Sequence, residues 1–134
     1  MTVVVEGPPV ARAAVGLLRQ ANGALAEAHR EADPLRRYPA AYLAALRAAA
    51  AVLAVRARPQ SAGPRRRADR NAWHLLAEVA PELGEWAAFF ASCSATRAAA
   101  EAGIARLVGQ READDLLRQA EQFVGIVRTV VPVR

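Results

Sequence analysis

A run of arginines followed by a histidine is the part of the sequence best suited to chemistry. Residues 65–74 are Arg-Arg-Arg-Ala-Asp-Arg-Asn-Ala-Trp-His. If a helix begins near Ala68, Arg70 and His74 lie one turn apart on the same face. Guanidinium groups bind phosphate in a bidentate manner, and histidine transfers protons near neutral pH. This arrangement suits phosphate chemistry, although an arginine-flanked loop followed by a solvent-exposed His74 explains it more simply.

The positive charge of the chain is concentrated in the same region. The sequence has 18 basic residues, all of them arginine, and 13 acidic ones, which gives a net charge of +5. Six arginines and one acidic residue lie between Arg56 and Arg70, so this segment accounts for the whole excess. Such a segment can contact either RNA phosphates or an acidic protein surface. The residues assigned here to nucleic-acid binding are Arg65, Arg66, Arg67 and Arg70.

The remaining polar residues do not suggest a metal or cofactor site. One cysteine and two histidines exclude a disulfide framework and a His/Cys metal cluster. The Glu-x-x-His pairs of di-metal helical bundles do not occur in this sequence. Glu78, Glu82 and Glu85 form a patch that is typical of a solvated face. His29 occupies a position that is typical of a helix end. Cys93 is explained as a buried thiol. We therefore predict that the protein uses neither a metal ion nor a cofactor.

Helical periodicity extends along nearly the whole chain of 134 residues, a length that fits one domain. Prolines and glycines divide the periodic segments, and the clearest break is the Pro/Gly/Ser stretch of residues 58–64. The second helix begins at Pro34 or, alternatively, at Pro39. We predict an N-terminal tail over residues 1–9 and one helical domain over 10–131, with a basic loop at about 58–67. The expected fold is all-α: an antiparallel up-and-down bundle of four long helices and a short extra helix.

The predicted helices can be located from their apolar stripes and their flanking residues. Val3 to Val5 are β-prone but too short and too close to the terminus to predict a strand. The expected helices cover about 10–28, 34 or 39 to 55, 68–80, 83–90, 94–103 and 110–131. The most apolar stretch, 39–55, is rich in alanine and contains Arg47, which favours a buried helix over a membrane span. Because no secretion signal precedes it, we expect a cytoplasmic protein.

Three aromatic residues on the predicted fourth helix suggest an interface. Trp86 and Phe90 share a face, whereas Phe89 lies about 100° away from Phe90 around the helix. Either this helix is buried over a wide arc, or an aromatic side chain meets another molecule, since aromatics are enriched at interfaces. We predict a homodimer, with Trp86, Phe89 and Phe90 as candidate interface residues.

Three segments carry a resemblance to a known family. Residues 42–54 (YLAALRAAAAVLA), 80–90 (APELGEWAAFF) and 111–117 (READDLL), together with the order of the helices, resemble an actinobacterial branch of the HEPN superfamily (higher eukaryotes and prokaryotes nucleotide-binding). The resemblance covers roughly residues 10–130. It implies an up-and-down helical bundle, often dimeric.

The resemblance also implies a motif for catalytic members, which are metal-independent ribonucleases with Arg-x(4–6)-His and a polar residue often following the arginine. Arg70 is followed by Asn71, but only three residues separate it from His74. Arg67 has the required spacing from His74, but Ala68 follows it. The motif also usually lies nearer the C-terminal end of the bundle. These departures weigh against catalysis.

Two classes of function follow from the sequence. The favoured one is a non-catalytic HEPN-like module that acts through self-association or binding of a partner protein. The alternative is an RNA- or nucleotide-binding HEPN protein, possibly a metal-independent ribonuclease with His74 and Arg70 as a degenerate catalytic pair.

Overall fold

The computed structural model describes residues 9–56 and 72–131, and these residues form only helices and turns. The all-α class expected from the sequence is confirmed. The predicted tail up to residue 8 and the predicted basic loop lie outside the described residues. The helices are α1 (Pro9–Arg30), α2 (Pro34–Arg56), α3 (Ala72–Val79), α4 (Gly84–Ser92), α5 (Ser94–Glu101) and α6 (Gln110–Val130), with 3-10 turns at Pro81–Leu83 and Ala105–Leu107.

The three long helices pack together along their lengths. Residues 31–33 alone connect α1 to α2, which forces these two helices to run antiparallel. Asp33 begins α2 by accepting a hydrogen bond from the Leu35 amide at 2.9 Å, as its position before Pro34 predicts. The guanidinium of Arg37 binds Asp114 near the start of α6, so α2 and α6 run in the same direction.

Helix α2 is the core helix of the protein. By length and composition alone it could cross a membrane, but half of its most apolar stretch is buried against the other helices. It packs on α1, α3, α5 and α6. Its buried positions are mostly alanine, a small side chain that lets neighbouring helices approach closely. These buried residues are Tyr38, Ala41, Tyr42, Ala44, Ala45, Ala48, Ala49, Ala51 and Val52.

The region 72–101 is divided into three short helices, which correspond to the predicted segments 68–80, 83–90 and 94–103. Pro81 lacks an amide proton and stands in a 3-10 turn that separates α3 from α4. Around Cys93 the hydroxyls of Ser92 and Ser94 donate to the carbonyls of Phe89 and Ala91, at 2.6 and 3.0 Å. Such side-chain hydrogen bonds compete with the helical ladder, which accounts for the break between α4 and α5.

A glycine follows the end of α5, and another glycine precedes the start of α6, as expected from the sequence. Gly103 adopts a positive φ of 80°, and the amides of Gly103 and Ile104 donate to the carbonyls of Ala100 and Ala99 at 3.0 Å. This is a Schellman motif, which glycine accommodates without strain. At the start of α6 the amide of Gly109 donates to the Glu112 carboxylate at 2.9 Å.

An aromatic cluster joins α2, α3, α4 and α6. The ring of Trp73 lies 5.2 Å from Phe90 and 6.2 Å from Phe123 between centroids. Its indole nitrogen donates to the Tyr42 hydroxyl at 2.8 Å, which satisfies a buried polar group. Trp86 packs on the outer side of the cluster, 5.6 Å from Phe123. The cluster fixes the orientation of α4 on the bundle, and with it the surface described next.

Candidate functional site

His74 lies on the exposed face of α3. Its side chain is 69% exposed, and its Nε2 atom is 3.1 Å from a carboxylate oxygen of Glu78, one turn further along. Trp73, the preceding residue, points into the core. The described neighbour of the imidazole is therefore an acid, and a carboxylate at this distance disfavours a phosphate beside it.

The arginines predicted to act with His74 fall outside the described residues. Arg65, Arg66, Arg67 and Arg70 all belong to the segment 57–71. The pairing of Arg70 with His74 and the binding of nucleic acid by this segment thus stay predictions. Arg56, at the end of α2, is described, and it binds an acidic residue: its Nη1 is 2.8 Å from a Glu82 carboxylate oxygen.

The acidic residues near Pro81 differ in their partners. A hydrogen bond from its own backbone and the Arg56 guanidinium lower the pKa of Glu82. Arg56 also lies within 3.4 Å of the Val79 carbonyl, which anchors the end of α2 to α3. Glu85, in the first turn of α4, is exposed and has no ion-pair partner among the described residues. Within this part of the chain, Glu85 therefore contributes a negative charge that no basic side chain compensates.

An open groove of about 510 Å³ lies between α4 and α6 beside this charge. We refer to it as the acidic–aromatic groove. Trp86 is half-buried there, and Phe89 is 38% exposed with its ring 5.0 Å from that of Phe90. The lining residues are Pro81, Glu82, Glu85, Trp86, Phe89 and Gln119.

Two of the three candidate interface residues line this groove, and the third does not. Phe90 is fully buried, with its ring stacked on Trp73 on one side and Trp86 on the other. The rotation of about 100° between consecutive helical residues places Phe90 in the core when Phe89 reaches the surface. The assignment of Phe90 to the interface is therefore corrected, whereas contact of Trp86 and Phe89 with another molecule stays a prediction.

A second groove, of about 220 Å³, lies between α2 and α5, and we refer to it as the α2–α5 groove. Leu43 on its edge is 39% exposed. The guanidinium of Arg97 lies 5.0 Å from the Tyr42 ring centroid, in cation–π geometry, and 3.3 Å from Glu101. The lining residues are Pro39, Ala40, Tyr42, Leu43, Leu46, Arg97 and Glu101.

The α2–α5 groove is not evident from local sequence patterns. Arg97 and Glu101 stand four residues apart, a spacing that indicates only a helical ion pair. The Nε atom of Arg97 is buried without a hydrogen-bond acceptor, a feature that depends on the packing of α5 against α2. A usable signal was present in α2 itself, where Leu43 interrupts a run of buried positions with a large apolar side chain.

A buried polar cluster joins α2 to α5 beneath the surface. Burial raises the pKa of the Tyr38 phenol, hydrogen bonding with Cys93 raises it further, and Thr96 acts in the opposite direction. The Cys93 thiol donates to the Phe89 carbonyl at 3.3 Å. Both Tyr38 and Cys93 are buried. This cluster has a structural role, because a buried thiol without a base is not activated as a nucleophile.

Two further ion pairs join α1 and α2 to α6. His29, at the end of α1, binds the carboxylate of Glu121 on α6. Arg37 donates to the Ala28 carbonyl at 3.0 Å in addition to its bond with Asp114. Among the residues the structure describes, no three His, Cys, Asp or Glu side chains are grouped so that they could hold a metal ion.

Comparison with protein-family models matches residues 28–128, about three quarters of the chain, to a family described as HEPN-like. The matched region contains both grooves and His74. No curated protein and no solved structure matches the chain.

Proposed function

The chain belongs to the HEPN-like family, and on this premise we propose that it is a non-catalytic helical module that acts by binding another protein. The acidic–aromatic groove is the observation on which the proposal depends. We also propose that the protein acts in the cytoplasm.

The groove has the features of a protein-binding surface. Phe89 exposes part of a large aromatic ring, which is supported from below by the buried Phe90. Aromatic side chains supply much of the binding energy at interfaces when they are held rigidly and lose water on contact. Trp86, held against Phe90 and Phe123, adds a second rigid ring beside it. A partner that covers the groove would gain these contacts at a small entropic cost.

The surroundings of His74 support a non-catalytic role. A ribonuclease of the HEPN type needs a histidine and an arginine that act together on a phosphate. The described environment of His74 instead offers Glu78 at 3.1 Å and full access to water. A phosphate approaching this imidazole meets a negative charge first, which raises the energy of the bound state.

A capture experiment with matched variants tests the proposal. The wild type, Phe89→Glu and Leu107→Glu are used as bait in extracts of cells that encode the protein. Leu107 is the matched control because it is an exposed leucine outside the groove, 52% accessible to solvent. We expect partners that bind the wild type and Leu107→Glu but are lost with Phe89→Glu. Equal capture by all three proteins would contradict a binding role for the groove.

Self-association is a second candidate, and the α2–α5 groove favours it. Arg97 and Glu101 carry opposite charges on the same surface. In a symmetric dimer each surface meets its own copy, so Arg97 of one chain can lie beside Glu101 of the other. The exposed Leu43 would supply apolar contact between them. Light scattering of the Phe89→Glu variant tests, in parallel, the dimer predicted through α4.

RNA binding through Arg65, Arg66, Arg67 and Arg70 is the alternative from a different class of function. Its support is the concentration of the net charge in residues 56–70. Anisotropy of a labelled single-stranded RNA, titrated with protein at two salt concentrations, tests it. Serine at positions 65, 66 and 67 should lower both the affinity and its salt dependence, because fewer counterions are released. An unchanged salt slope would exclude these residues from RNA binding.

If RNA is bound, cleavage can be tested separately. His74→Ala should abolish a genuine ribonuclease activity, and EDTA should leave it intact, because the implied mechanism uses no metal. Cleavage that persists in His74→Ala would come from another enzyme in the preparation.

A further inference from the structure

We infer that the acidic–aromatic groove receives an arginine side chain from the partner protein, a step that rests on the proposed function. The groove offers aromatic faces and hydrogen-bond acceptors side by side. Trp86 and Phe89 supply the rings, and Glu85 and Gln119 supply oxygen acceptors. A planar guanidinium stacks on rings and donates to carboxylates at the same time.

The charge of the groove matches a single guanidinium. No basic residue of the described chain lines it, and the two carboxylates belong to Glu82 and Glu85. Arg56 already compensates Glu82 at 2.8 Å, and the pKa of Glu82 is lowered in part by this contact. Glu85 has no ion-pair partner among the described residues. Counted over the described residues, the groove is therefore left with about one unmatched negative charge, at Glu85, one helical turn before Phe89.

Charge also distinguishes the partner from a second copy of this chain. A symmetric dimer formed around the groove would bring the Glu82 and Glu85 carboxylates of both copies to the same axis. Like charges at an interface oppose association unless basic residues separate them. The groove lining contains no such residue in the ranges 9–56 and 72–131. A partner carrying its own arginine has the complementary charge and avoids this repulsion.

The form of the groove favours a peptide segment over a free small cation. Small organic cations are held in enclosed aromatic cages that surround the charge. Here Trp86 and Phe89 lie on the same helix, and the groove is open to solvent between α4 and α6. An arginine fixed in a chain gains affinity from the residues on either side of it, which can pack on Pro81 and the exposed ring of Phe89.

Selection from a phage-displayed library of random dodecapeptides tests the inference. The full chain is immobilised as wild type, Phe89→Ala, Glu85→Gln and the control Glu27→Gln. Glu27 is a matched control because it is an exposed carboxylate on α1, paired only with Arg30. We expect peptides enriched by the wild type and by Glu27→Gln to contain arginine beside an apolar residue, and this enrichment to be lost with Phe89→Ala.

The affinity of one selected peptide then measures the role of the carboxylate. We expect Glu85→Gln to weaken it about three- to tenfold, as for a partly exposed charge-assisted hydrogen bond. Replacing the peptide arginine by glutamine should weaken binding to the wild type more than Glu85→Gln does, because stacking on the rings is lost together with the ion pair. The same replacement should weaken binding to Glu85→Gln less than it weakens binding to the wild type, because only the stacking remains to be lost there. Lysine at that position should bind less well than arginine, because it cannot pair in a bidentate manner or stack as a plane.

Each of the other possible results contradicts a specific part of the inference or of the proposed function. Enrichment that depends on Phe89 but selects acidic or uncharged peptides would overturn the arginine inference and leave the binding role of the groove intact. Enrichment that is the same for the wild type and Phe89→Ala would overturn both. Wild-type self-association that is lost with Phe89→Ala would identify a second copy of this chain as the occupant, and would overturn the choice of a foreign partner.

Discussion

Trp73 illustrates how a single side chain determines the position of the candidate surface. Its indole donates to the buried hydroxyl of Tyr42 at 2.8 Å, while its ring stacks on Phe90. The Trp73→Phe variant keeps an aromatic ring but leaves that hydroxyl buried without a donor. We expect a loss of about 1–2 kcal/mol in the free energy of unfolding, measured by urea denaturation.

Trp86→Phe is the matched control for this prediction. The Trp86 indole N–H makes no hydrogen bond among the described residues, and its ring is only half-buried. The exchange of tryptophan for phenylalanine should therefore lower the free energy of unfolding less at position 86 than at position 73. Equal losses in the two variants would mean that ring size and not the hydrogen bond determines the effect at Trp73.

Individual residues also show the limits of prediction from sequence. The spacing of Trp73, Leu76 and Ala80 predicts that they share one helix face, and all three are buried. The exposed position of His74 agrees with the simpler of its two interpretations. The pairing of Arg56 with Glu82 joins residues 26 positions apart. Such a contact depends on where α3 and α4 pack against the end of α2, which no local pattern encodes.

At the scale of the helix, Pro39 is an interior proline in α2. A helical residue at this position would donate its amide to the Leu35 carbonyl, and proline cannot. Pro39→Ala should restore that hydrogen bond and raise the free energy of unfolding by about 1–2 kcal/mol. Pro34→Ala is the control: Pro34 is the first helical residue, where the amide has no helical partner, so little change is expected.

An unchanged or lower stability of Pro39→Ala would contradict this account. It would mean that the packing of the Pro39 ring at the edge of the α2–α5 groove outweighs the missing hydrogen bond. The sequence left open whether α2 begins at Pro34 or at Pro39. The structure has one helix from Pro34, because Asp33 binds the Leu35 amide and so supplies the cap that starts it.

The helices that carry strong local signals were predicted well, and the others less so. Asp33, Gly103 and Gly109 stand at the boundaries that their caps indicate. The division of residues 84–101 into α4 and α5 follows the predicted helices 83–90 and 94–103. The hydroxyl contacts of Ser92 and Ser94 that account for the break are evident only in three dimensions. The helical period of α4 predicts that Phe89 and Phe90 lie on different faces. Only the packing of the aromatic cluster shows that Phe90 is the buried one.

At the scale of the whole molecule, the surface has two regions of different charge character. The acidic–aromatic groove has an unmatched carboxylate, which favours a basic partner. The α2–α5 groove has one arginine and one glutamate, so it is neutral and complementary to itself. The two grooves lie on different helix pairs, which allows the molecule to bind itself at one and a foreign segment at the other. Self-association and partner binding are then separable by mutation.

Sedimentation equilibrium over a wide range of protein concentrations tests self-association at the α2–α5 groove. We expect a reversible monomer–dimer equilibrium for the wild type and for the control Leu107→Glu. Leu43→Glu should weaken the dimer by more than about a hundredfold, since burial of a leucine contributes roughly 1.5–3 kcal/mol and symmetry removes it twice. Leu43 is 39% exposed, so the variant monomer should fold, which the urea transition verifies.

The same measurement distinguishes this surface from the one on α4. If Phe89→Glu and not Leu43→Glu abolishes the dimer, the interface predicted from the α4 aromatics is the correct one, and the neutral groove has no part in it. If Leu43→Glu yields monomers that still enrich arginine peptides, the two surfaces act independently. A wild type that stays monomeric at every concentration would remove self-association from the proposal, because neither groove would then bury enough area to hold two copies together.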